Sequence, residues 1–499
     1  MKSLANPVPL LLFAGLALLP VAGCAVGPDF EKPAAPQVSD YTAQPLPAAT
    51  AASAAPGGQA QNFAKGADIA ADWWTLFHSR PLTDLIEQSL ANNHDLKAAQ
   101  AALTVARENA LAGRGAFYPK LTAGFSATRQ QDPPGALASV PSDGSFLYNL
   151  FTPQVSISYM PDVWGLNRRT VESLDAQTQG ARFQMIAAYN SLINNVVVTA
   201  VQQASVALQI EATNQQIALD TRAVQILQDQ HDRGYASGAD LAAQKALLAQ
   251  TAATLPALIK QAAQLQDLLS VLVGKFPSQG PQEKLDLADL QLPPDLPVSL
   301  PADLVAQRPD VLQAQANMRS ANAQIGVAIA NRLPNITLTG NAGSTALAIG
   351  DVFGPGTGFW NIGAAFAATL FDGNALLHQE RGARAAYTQA AEQYRSVVLG
   401  AVQNVADTLV ALQQDAEGLK AAAAAADAAK VTLDITQRQL QDGYANTLAF
   451  ITAEQTYQQA RINFVQAQAN RYADTAALFQ ALGGGWWHRA DLQEADNDK

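Results

Sequence analysis

The spacing of apolar and polar residues follows the same order twice along the chain. Helical spacing that ends at Pro119 gives way to strict alternation, and the same change follows Pro334. Residues 95–119 align without gaps on residues 310–334. The identities in this alignment are Asp95/Asp310, Ala99/Ala314, Gln100/Gln315, Ala101/Ala316, Ala106/Ala321 and Pro119/Pro334. The pattern predicts an internal duplication in which each copy has a helix followed by a strand.

Each half carries a second alternating segment after the first, so four strands are predicted. Apolar side chains alternate with serine, threonine, asparagine, glutamine or glycine, which is typical of a strand with one polar and one apolar face. The predicted strands cover residues 120–129, 152–160, 335–342 and 359–370.

Long helices follow each strand pair. Residues 167–232 contain no proline, and a helix of that length spans roughly 100 Å at 1.5 Å per residue. A return helix is predicted at 240–273, and the second half repeats the plan with helices at 374–441 and 449–482. One seam of the third long helix keeps the 4,3 spacing of a coiled coil. Its residues are Val398, Val402, Val405, Leu409, Leu412, Ala416, Leu419, Ala423 and Ala426.

The amino terminus has the features of a secretion signal. Lys2 precedes a short apolar stretch, and Val21-Ala22-Gly23-Cys24 resembles a bacterial lipobox. A lipoprotein signal peptide is therefore predicted at 1–23, with N-palmitoyl and S-diacylglycerol groups on Cys24 and no other cofactor. The apolar stretch is shorter than the roughly 20 residues of a membrane-spanning helix. Cys24 is the only cysteine, so no internal disulfide can form.

These patterns divide the chain into consecutive segments. Residues 24–66 are rich in proline, alanine and glycine and are predicted to form a lipidated tether. The remaining predicted segments are a first repeat at 67–274, an inter-repeat linker with an equatorial segment at 275–300, a second repeat at 301–485 and a disordered tail at 486–499.

A four-stranded sheet cannot close on itself. In lipid an open sheet edge leaves backbone groups unpaired, so membrane-spanning strands require several copies to complete one barrel. Two copies give eight strands and a filled interior, whereas three give twelve strands and a lumen. The fold class expected is an α+β membrane protein, with a trimeric 12-stranded antiparallel barrel continued by a long coiled-coil helical barrel. The alternative is a soluble four-stranded sheet beside an ordinary helical bundle.

Charge and motif content argue against other classes of function. The net charge of −11 at pH 7 lacks the basic footprint of a nucleic-acid-binding protein. The five histidines are far apart and have no metal-ligand spacing. Neither a nucleophile elbow nor a phosphate-binding loop is found, so no enzyme activity and no catalytic, cofactor or metal site is predicted.

Several short motifs together resemble those of the TolC-like outer-membrane efflux proteins, in particular the NodT-type lipoprotein branch. They are Cys24-Ala25-Val26-Gly27-Pro28-Asp29-Phe30, Trp73-Trp74, Asp162-Val163-Trp164-Gly165, Leu300-Pro301, Arg308-Pro309-Asp310-Val311, Ile325-Gly326-Val327-Ala328 and Leu370-Phe371-Asp372-Gly373. The resemblance implies a homotrimer with a barrel in the outer membrane, a helical barrel across the periplasm and a mixed equatorial domain. It also implies a periplasmic adaptor protein and an inner-membrane pump of the RND type as partners.

By this resemblance the two helix-to-helix turns lie at the periplasmic tip and contact the adaptor. Glycine is expected there because such turns need left-handed backbone conformations. The candidate contacts are Arg233, Gly234, Tyr235, Ser237, Gly238, Asp240, Gly443, Tyr444 and Asn446. Family members often narrow this end with an apolar ring, which matches Leu448, and an acidic ring, where this chain has Thr452. A constriction set mainly by Leu448, with weak electrostatics, is expected.

The function predicted is a passive outer-membrane channel of a tripartite efflux pump that conducts drugs or other small toxic compounds to the exterior. Two alternatives remain open at this point. A type I protein-secretion duct has the same architecture and differs in its partner pump. A structural coiled-coil lipoprotein bridging the envelope layers would show no ion conductance.

Overall fold

The computed structural model describes residues 25–131, 147–281 and 285–493. The predicted signal peptide, Cys24 and residues 494–499 lie outside them. The strands are β1 (Asn62–Lys65), β2 (Lys120–Gln131), β3 (Leu147–Tyr159), β4 (Asp295–Val298), β5 (Asn335–Ser344) and β6 (Gly358–Ala367). The helices are α1 (Arg80–Asn92), α2 (His94–Arg114), α3 (Leu166–Asp232), α4 (Gly238–Leu272), α5 (Pro301–Gln307), α6 (Pro309–Ala330), α7 (Ala375–Gln441), α8 (Thr447–Ala481) and α9 (Ala490–Gln493).

Two long helical hairpins, α3/α4 and α7/α8, account for much of the described chain. The first helix of each hairpin has 67 residues and the second has 35. The return helix α4 starts at Gly238 rather than at the predicted residue 240, because Ser237 caps its first turn. It continues through Pro256, which lies inside the helix.

One antiparallel sheet of four strands has the order β2-β3-β5-β6. Each half of the chain supplies one neighbouring pair, and the β3–β5 ladder joins the two pairs. The second strand starts at Leu147, earlier than predicted, because Leu147 still pairs with Gln131. The fourth ends at Ala367, opposite Asn335, where the ladder stops.

The described residues separate into two compact units. Unit 1 contains the described part of Met1–Lys32 with Val105–Gln179 and Ala316–Glu392, and it holds the four-stranded sheet. Unit 2 contains Pro33–Thr104, Gly180–Gln315 and the described part of Gln393–Lys499, and it holds both helix-to-helix turns.

The prediction that residues 24–66 form a free tether is wrong for its described part. In unit 2, β1 pairs in parallel with β4, from Asn62 opposite Asp295 to Lys65 opposite Val298. Gln61 is fully buried, and its side-chain amide donates to the Pro293 carbonyl. Composition suggested a tether, but main-chain pairing with a segment more than 200 residues later orders it.

The seam predicted along α7 is buried in its central part. Six of its residues in unit 2 are buried, namely Val405, Leu409, Leu412, Ala416, Leu419 and Ala423. Val402 and Ala426, at the two ends, are half-buried. Small side chains at Ala416 and Ala423 allow close approach of the neighbouring helix.

The predicted disordered tail is wrong for residues 486–493. Trp486–His488 form a 3-10 turn, and α9 follows it. Trp486 is buried and donates from Nε1 to the Gln307 carbonyl at 2.7 Å. Arg182 holds the end of α9 by donating to the Leu492 carbonyl at 2.9 Å. A buried indole and main-chain hydrogen bonds therefore order this segment despite its polar composition.

Within the described residues, two helices are long and apolar enough to cross a membrane by length and composition. Each of α3 and α7 contains an 18-residue window of mean hydropathy 1.2, of which 56% and 28% respectively is buried inside the structure. Core helices of soluble proteins meet the same criterion, so neither helix is assigned to the membrane.

Candidate functional site

The sheet in unit 1 has one continuous apolar face that the protein leaves open. Residues directly opposite each other share a face, and the register places apolar side chains of all four strands on the same one. These residues include Leu121, Phe125, Val155, Ile157, Leu338, Trp360, Ile362 and Phe366. The exposed fraction reaches 75% for Trp360 and 82% for Ile362. An apolar surface of this extent requires a cover, such as lipid.

The opposite face of the sheet is polar. Thr122 lies opposite Ser156, Ser156 lies opposite Asn341, and Asn341 lies opposite Asn361. The amide of Asn341 donates to the side-chain oxygen of Asn361 at 3.0 Å. Among the described strands, β2 pairs only with β3 and β6 pairs only with β5. The sheet is therefore two-faced, with an edge at each side.

Both strand-to-helix junctions of unit 1 use an aspartate and a glycine. Asp162 accepts from the backbone N–H groups of Asn167 and Arg168 at 2.9 and 3.0 Å, at the start of α3. Asp372 accepts from the N–H of Leu376 at 2.8 Å, at the start of α7. A carboxylate in this position satisfies free N–H groups and interacts favourably with the helix dipole. This geometry accounts for the aspartates of two of the sequence motifs.

Residues 25–29 are bound to the start of α3 in unit 1. Arg169 donates from Nε to the Val26 carbonyl at 3.1 Å and from Nη2 to the Gly27 carbonyl at 3.2 Å. Its guanidinium also pairs with Asp29 at 2.8 Å and with Glu172 at 2.8 Å. Burial opposes its charge, but these hydrogen bonds outweigh burial and raise the pKa of Arg169.

A close glycine contact completes this arrangement, which we call the N-terminal clamp (residues 25–29 with Arg169, Asn322 and Gly326). A Cβ on Gly27, whose φ is +96°, would lie 2.5 Å from the Cα of Gly326. Asn322 donates to the Pro28 carbonyl at 2.9 Å. Three separate sequence motifs thus meet at one place, immediately after Cys24. The contacts of Arg169 and Asn322 had no signal in the sequence.

The two helix-to-helix turns of unit 2 have the same backbone structure. Gly234 and Gly443 have φ values of +78° and +77°. The N–H of the next residue bonds to a carbonyl five positions earlier, Tyr235 to Gln230 and Tyr444 to Gln439, both at 2.7 Å. This is the Schellman motif, which requires a left-handed residue and therefore favours glycine. Gly238 is different, because it begins α4 with a helical backbone, and the expectation of a left-handed conformation there is wrong.

The caps after the two turns differ. In the first, Asp240 donates its N–H to Ser237 Oγ at 3.1 Å, and Ser237 donates its N–H to the Asp240 carboxylate at 3.4 Å. This is a reciprocal capping box. In the second, Asn446 accepts from the N–H of Ala449 at 2.8 Å and nothing is returned, because Ala449 has no polar side chain.

The remaining predicted residues lie close to these turns. Arg233 is exposed beside Gly234, and Tyr235 and Tyr444 are 82% and 87% exposed. Leu448, in the first turn of α8, is half-buried. Thr452 is exposed one turn later and donates to the Leu448 carbonyl at 3.0 Å. Tip contact and aperture remain predictions for all of these residues.

A buried aspartate, which we call the Asp220 node, links the two hairpins of unit 2. Asp220 on α3 is fully buried. It accepts from Thr251 Oγ1 on α4 at 2.7 Å and from the side-chain amide of Gln455 on α8. Asp220 lies 12 residues before the end of α3, and Gln455 lies 8 residues after the start of α8. Both turns therefore lie at the same end of the unit.

Comparison with known proteins identifies the family. The family profile described as outer membrane efflux protein matches residues 85–275 and 300–484, which is most of the chain. The chain belongs to the outer membrane efflux protein family. The resemblance to TolC-like efflux proteins is thereby confirmed.

Individual outer membrane efflux proteins match over nearly their full length. The chain is 26% identical to the probable efflux pump outer membrane protein TtgC of Pseudomonas putida, over 96% of each chain. It is 25% identical to outer membrane protein OprJ of Pseudomonas aeruginosa, over 94% of this chain and 95% of that protein. The CmeC outer membrane channel of Campylobacter jejuni shares the fold, with a TM-score of 0.81 at 20% identity, over 95% of this chain and 97% of that one.

Family membership decides between the broad classes of function. As an outer membrane efflux protein, the chain is a transport protein of the outer membrane and not an enzyme. It is the outer-membrane channel of a tripartite efflux pump and works with adaptor and inner-membrane pump partners.

Proposed function

We propose that three copies of this chain pair their sheets edge to edge into a 12-stranded barrel in the outer membrane. The observation that carries the proposal is the two-faced sheet, whose apolar face is exposed while β2 and β6 each have one partner among the described strands. Four strands cannot close, and three sets of four enclose a lumen. The polar face then lines the lumen, and the long hairpins continue it as a helical tube.

In this assembly the protein is a passive conduit for drugs or other small toxic compounds. They arrive from an inner-membrane transporter of the RND type through a periplasmic adaptor. The exposed Tyr235 and Tyr444, with Arg233, Ser237, Asp240 and Asn446 around them, form the surface that receives the adaptor. Aromatic side chains that are exposed on rigid turns are well suited to anchor an interface.

A lipid on Cys24 anchors each copy to the outer membrane. Supporting this, the N-terminal clamp fixes the main chain at Val26, two residues after Cys24, to the helix that follows β3. The anchor then enters the membrane beside the sheet of the same unit.

Cysteine pairs on the outer strands test the barrel. Cys24 is the only natural cysteine, so introduced pairs report without background. Cysteines that replace Thr122 on β2 and residues 361, 363 or 365 on β6, one at a time, sample the possible registers. At least one pair is expected to give covalent trimers under oxidation. A matched control places the second cysteine at Asn341 on the central β5, and trimers in the control or only dimers in every pair would contradict the proposal.

Conductance through planar bilayers tests the aperture. Leu448→Ala is expected to raise single-channel conductance, because it removes apolar bulk from the narrow end. Thr452→Asp is expected to increase cation over anion selectivity. Thr456→Asp, one turn further along α8, is the control for added charge away from the aperture. Unchanged conductance in Leu448→Ala would show that this residue does not set the constriction.

Crosslinking from cysteines at Ser237 and Asn446 distinguishes drug efflux from protein secretion by the identity of the captured pump assembly. An RND-type partner is expected. Capture of an ABC-type secretion assembly instead would reject the drug-efflux assignment while leaving the channel proposal intact.

A further inference from the structure

A groove of about 600 Å³ lies between the two helices of the second hairpin, within unit 2. Side chains of α7 and α8 form its walls, and residues 52–56 line it as well. The lining residues are Ala52, Ser53, Ala54, Ala55, Pro56, Lys420, Ala423, Ala424, Ala426, Asp427, Lys430, Tyr457, Arg461 and Phe464. We call it the Tyr457 groove. Its volume suits a ligand of one or two rings.

Two cations lie near the central tyrosine. Lys430 Nζ is 5.7 Å from the centroid of the Tyr457 ring, and the guanidinium carbon of Arg461 is 5.9 Å from it. These distances are within the range of a cation–π interaction. Lys420 is a third cation in the lining, and Asp427 is its only acidic residue. The lining is therefore positive in a chain whose net charge is −11.

The three cations differ in how far their charge is already compensated. Lys430 pairs with Asp434 at 2.5 Å, and Lys420 pairs with Glu417 at 3.7 Å. Arg461 has no ion-pair partner among the residues that the structure describes. A guanidinium that lies against an aromatic ring keeps its planar set of donors available for a carboxylate or sulfonate.

The apolar part of the groove completes the recognition pattern. Phe464 lies one helical turn beyond Arg461, and alanine methyl groups of α7 face the same groove. An aromatic ring can pack on Tyr457 and Phe464 while its acidic group reaches Arg461. A neutral ring leaves the guanidinium without an anion, and a long polyanion meets the negative charge of the rest of the protein.

We propose that the Tyr457 groove is a binding site for small aromatic anions, namely aryl carboxylates and sulfonates. Arg461 binds the acidic group, Tyr457 and Phe464 hold the ring, and the paired Lys420 and Lys430 add positive potential. The site goes beyond the conduit function, since it is defined by residues between helices of one chain and can be measured without transport.

Calorimetric titration of the assembled full-length protein with 2-naphthoate tests the site. One molecule is expected to bind per chain. Arg461→Gln is expected to weaken binding about tenfold, which is the effect of losing one charge-assisted contact. Tyr457→Leu is expected to weaken it to a similar degree, and added salt is expected to reduce the affinity. Arg438→Gln, on the exposed surface of α7, is the matched control and should bind like the unaltered protein.

Titration with the uncharged 2-naphthamide separates anion recognition from simple apolar adsorption. It is expected to bind at least tenfold more weakly than 2-naphthoate. Equal affinities for the two compounds, or unaltered affinity in Arg461→Gln, would overturn the proposal. So would absence of binding to the assembled protein, because another copy would then occupy the groove. None of these outcomes bears on bilayer conductance, so the site and the channel can fail separately.

Discussion

The two hairpin turns of unit 2 share a backbone but differ in the side chains that hold them. Gly234 and Gly443 take the same left-handed conformation, and Tyr235 and Tyr444 follow with the same hydrogen bond. The first turn then has a reciprocal capping box, whereas Asn446 alone caps the second. Duplication has preserved the shape while the local stability has diverged.

The less capped turn is also the one next to the proposed aperture. A cap contributes about 1 kcal/mol to the helix end it protects. The start of α8, with Leu448 and Thr452, therefore opens more easily than the start of α4. This difference suits a first turn that stays rigid and a second that moves, and hydrogen exchange can measure it directly.

Removal of the Asp220 node should have the largest effect, because it connects both hairpins. Asp220→Ala leaves the buried groups of Thr251 and Gln455 without their acceptor, at a cost of about 2 kcal/mol. Amide exchange near both turns is expected to accelerate roughly 30-fold. Asp229→Ala, on the exposed face of the same helix, is the control. Acceleration in only one hairpin would contradict the linking role.

Substitution of the turn glycines should have the next largest effect, confined to one hairpin each. Gly234→Ala and Gly443→Ala place a Cβ on a left-handed backbone, at a cost of about 1 kcal/mol. Roughly fivefold faster exchange in the altered hairpin alone is expected. Gly238→Ala is the control, since its backbone is helical and the added Cβ is 3.7 Å from the His231 ring. Equal effects at Gly238 and Gly234 would remove the conformational explanation.

Exchange of the caps should narrow the difference between the two turns. Asp240→Ala removes half of the capping box, and Ala449→Asp introduces the matching carboxylate after Asn446. Each change is expected to shift local stability by about 0.5 kcal/mol, in opposite directions. Exchange rates of the first turns of α4 and α8 measure the shifts. If the Ala449→Asp variant exchanges no more slowly, the absence of a box does not explain the weaker second turn.

A pH dependence specific to the second hairpin should be the smallest effect. Burial, together with a hydrogen bond to Asp415 on α7, raises the pKa of Asp474 on α8 to about 7, from the ordinary 3.8. A raised folded-state pKa contributes stability that is fully present below pH 3.8 and is lost as the pH rises through 7. Thermal stability should therefore decline from acid to neutral pH, and Asp474→Asn should flatten that decline. An unaltered pH profile in Asp474→Asn would exclude this carboxyl pair as the cause.

Periodicity in the sequence predicted the regular elements well. The four strands and long helices follow from alternation and from proline-free heptad spacing, which are local properties of the chain. The turn glycines Gly234 and Gly443 were equally accessible, because a left-handed C-terminal residue strongly favours glycine. Gly238 was assigned the same role incorrectly, because the side chain of Ser237 starts the helix one residue before it.

Contacts between distant segments could not be predicted in this way. Arg169 binds residues about 140 positions earlier, and Asp220 binds Gln455, 235 positions later. Neither partner leaves a periodic signal. The same reason explains the incorrect tether, since the composition of residues 24–66 contains nothing about the strand β4 that pairs with Asn62–Lys65. Arg461 is distinguished only by the ring and the open groove beside it.

The N-terminal clamp has a consequence for how the protein fits membranes of different thickness. Since Arg169 holds Val26 and Gly27 to the helix that starts after β3, any acyl chains on Cys24 enter the bilayer at a height fixed relative to the sheet. The anchor cannot slide to follow a thinner or thicker leaflet. Lipids around the protein must stretch or compress instead, so acyl-chain length in the host membrane becomes a factor in how firmly the channel is seated.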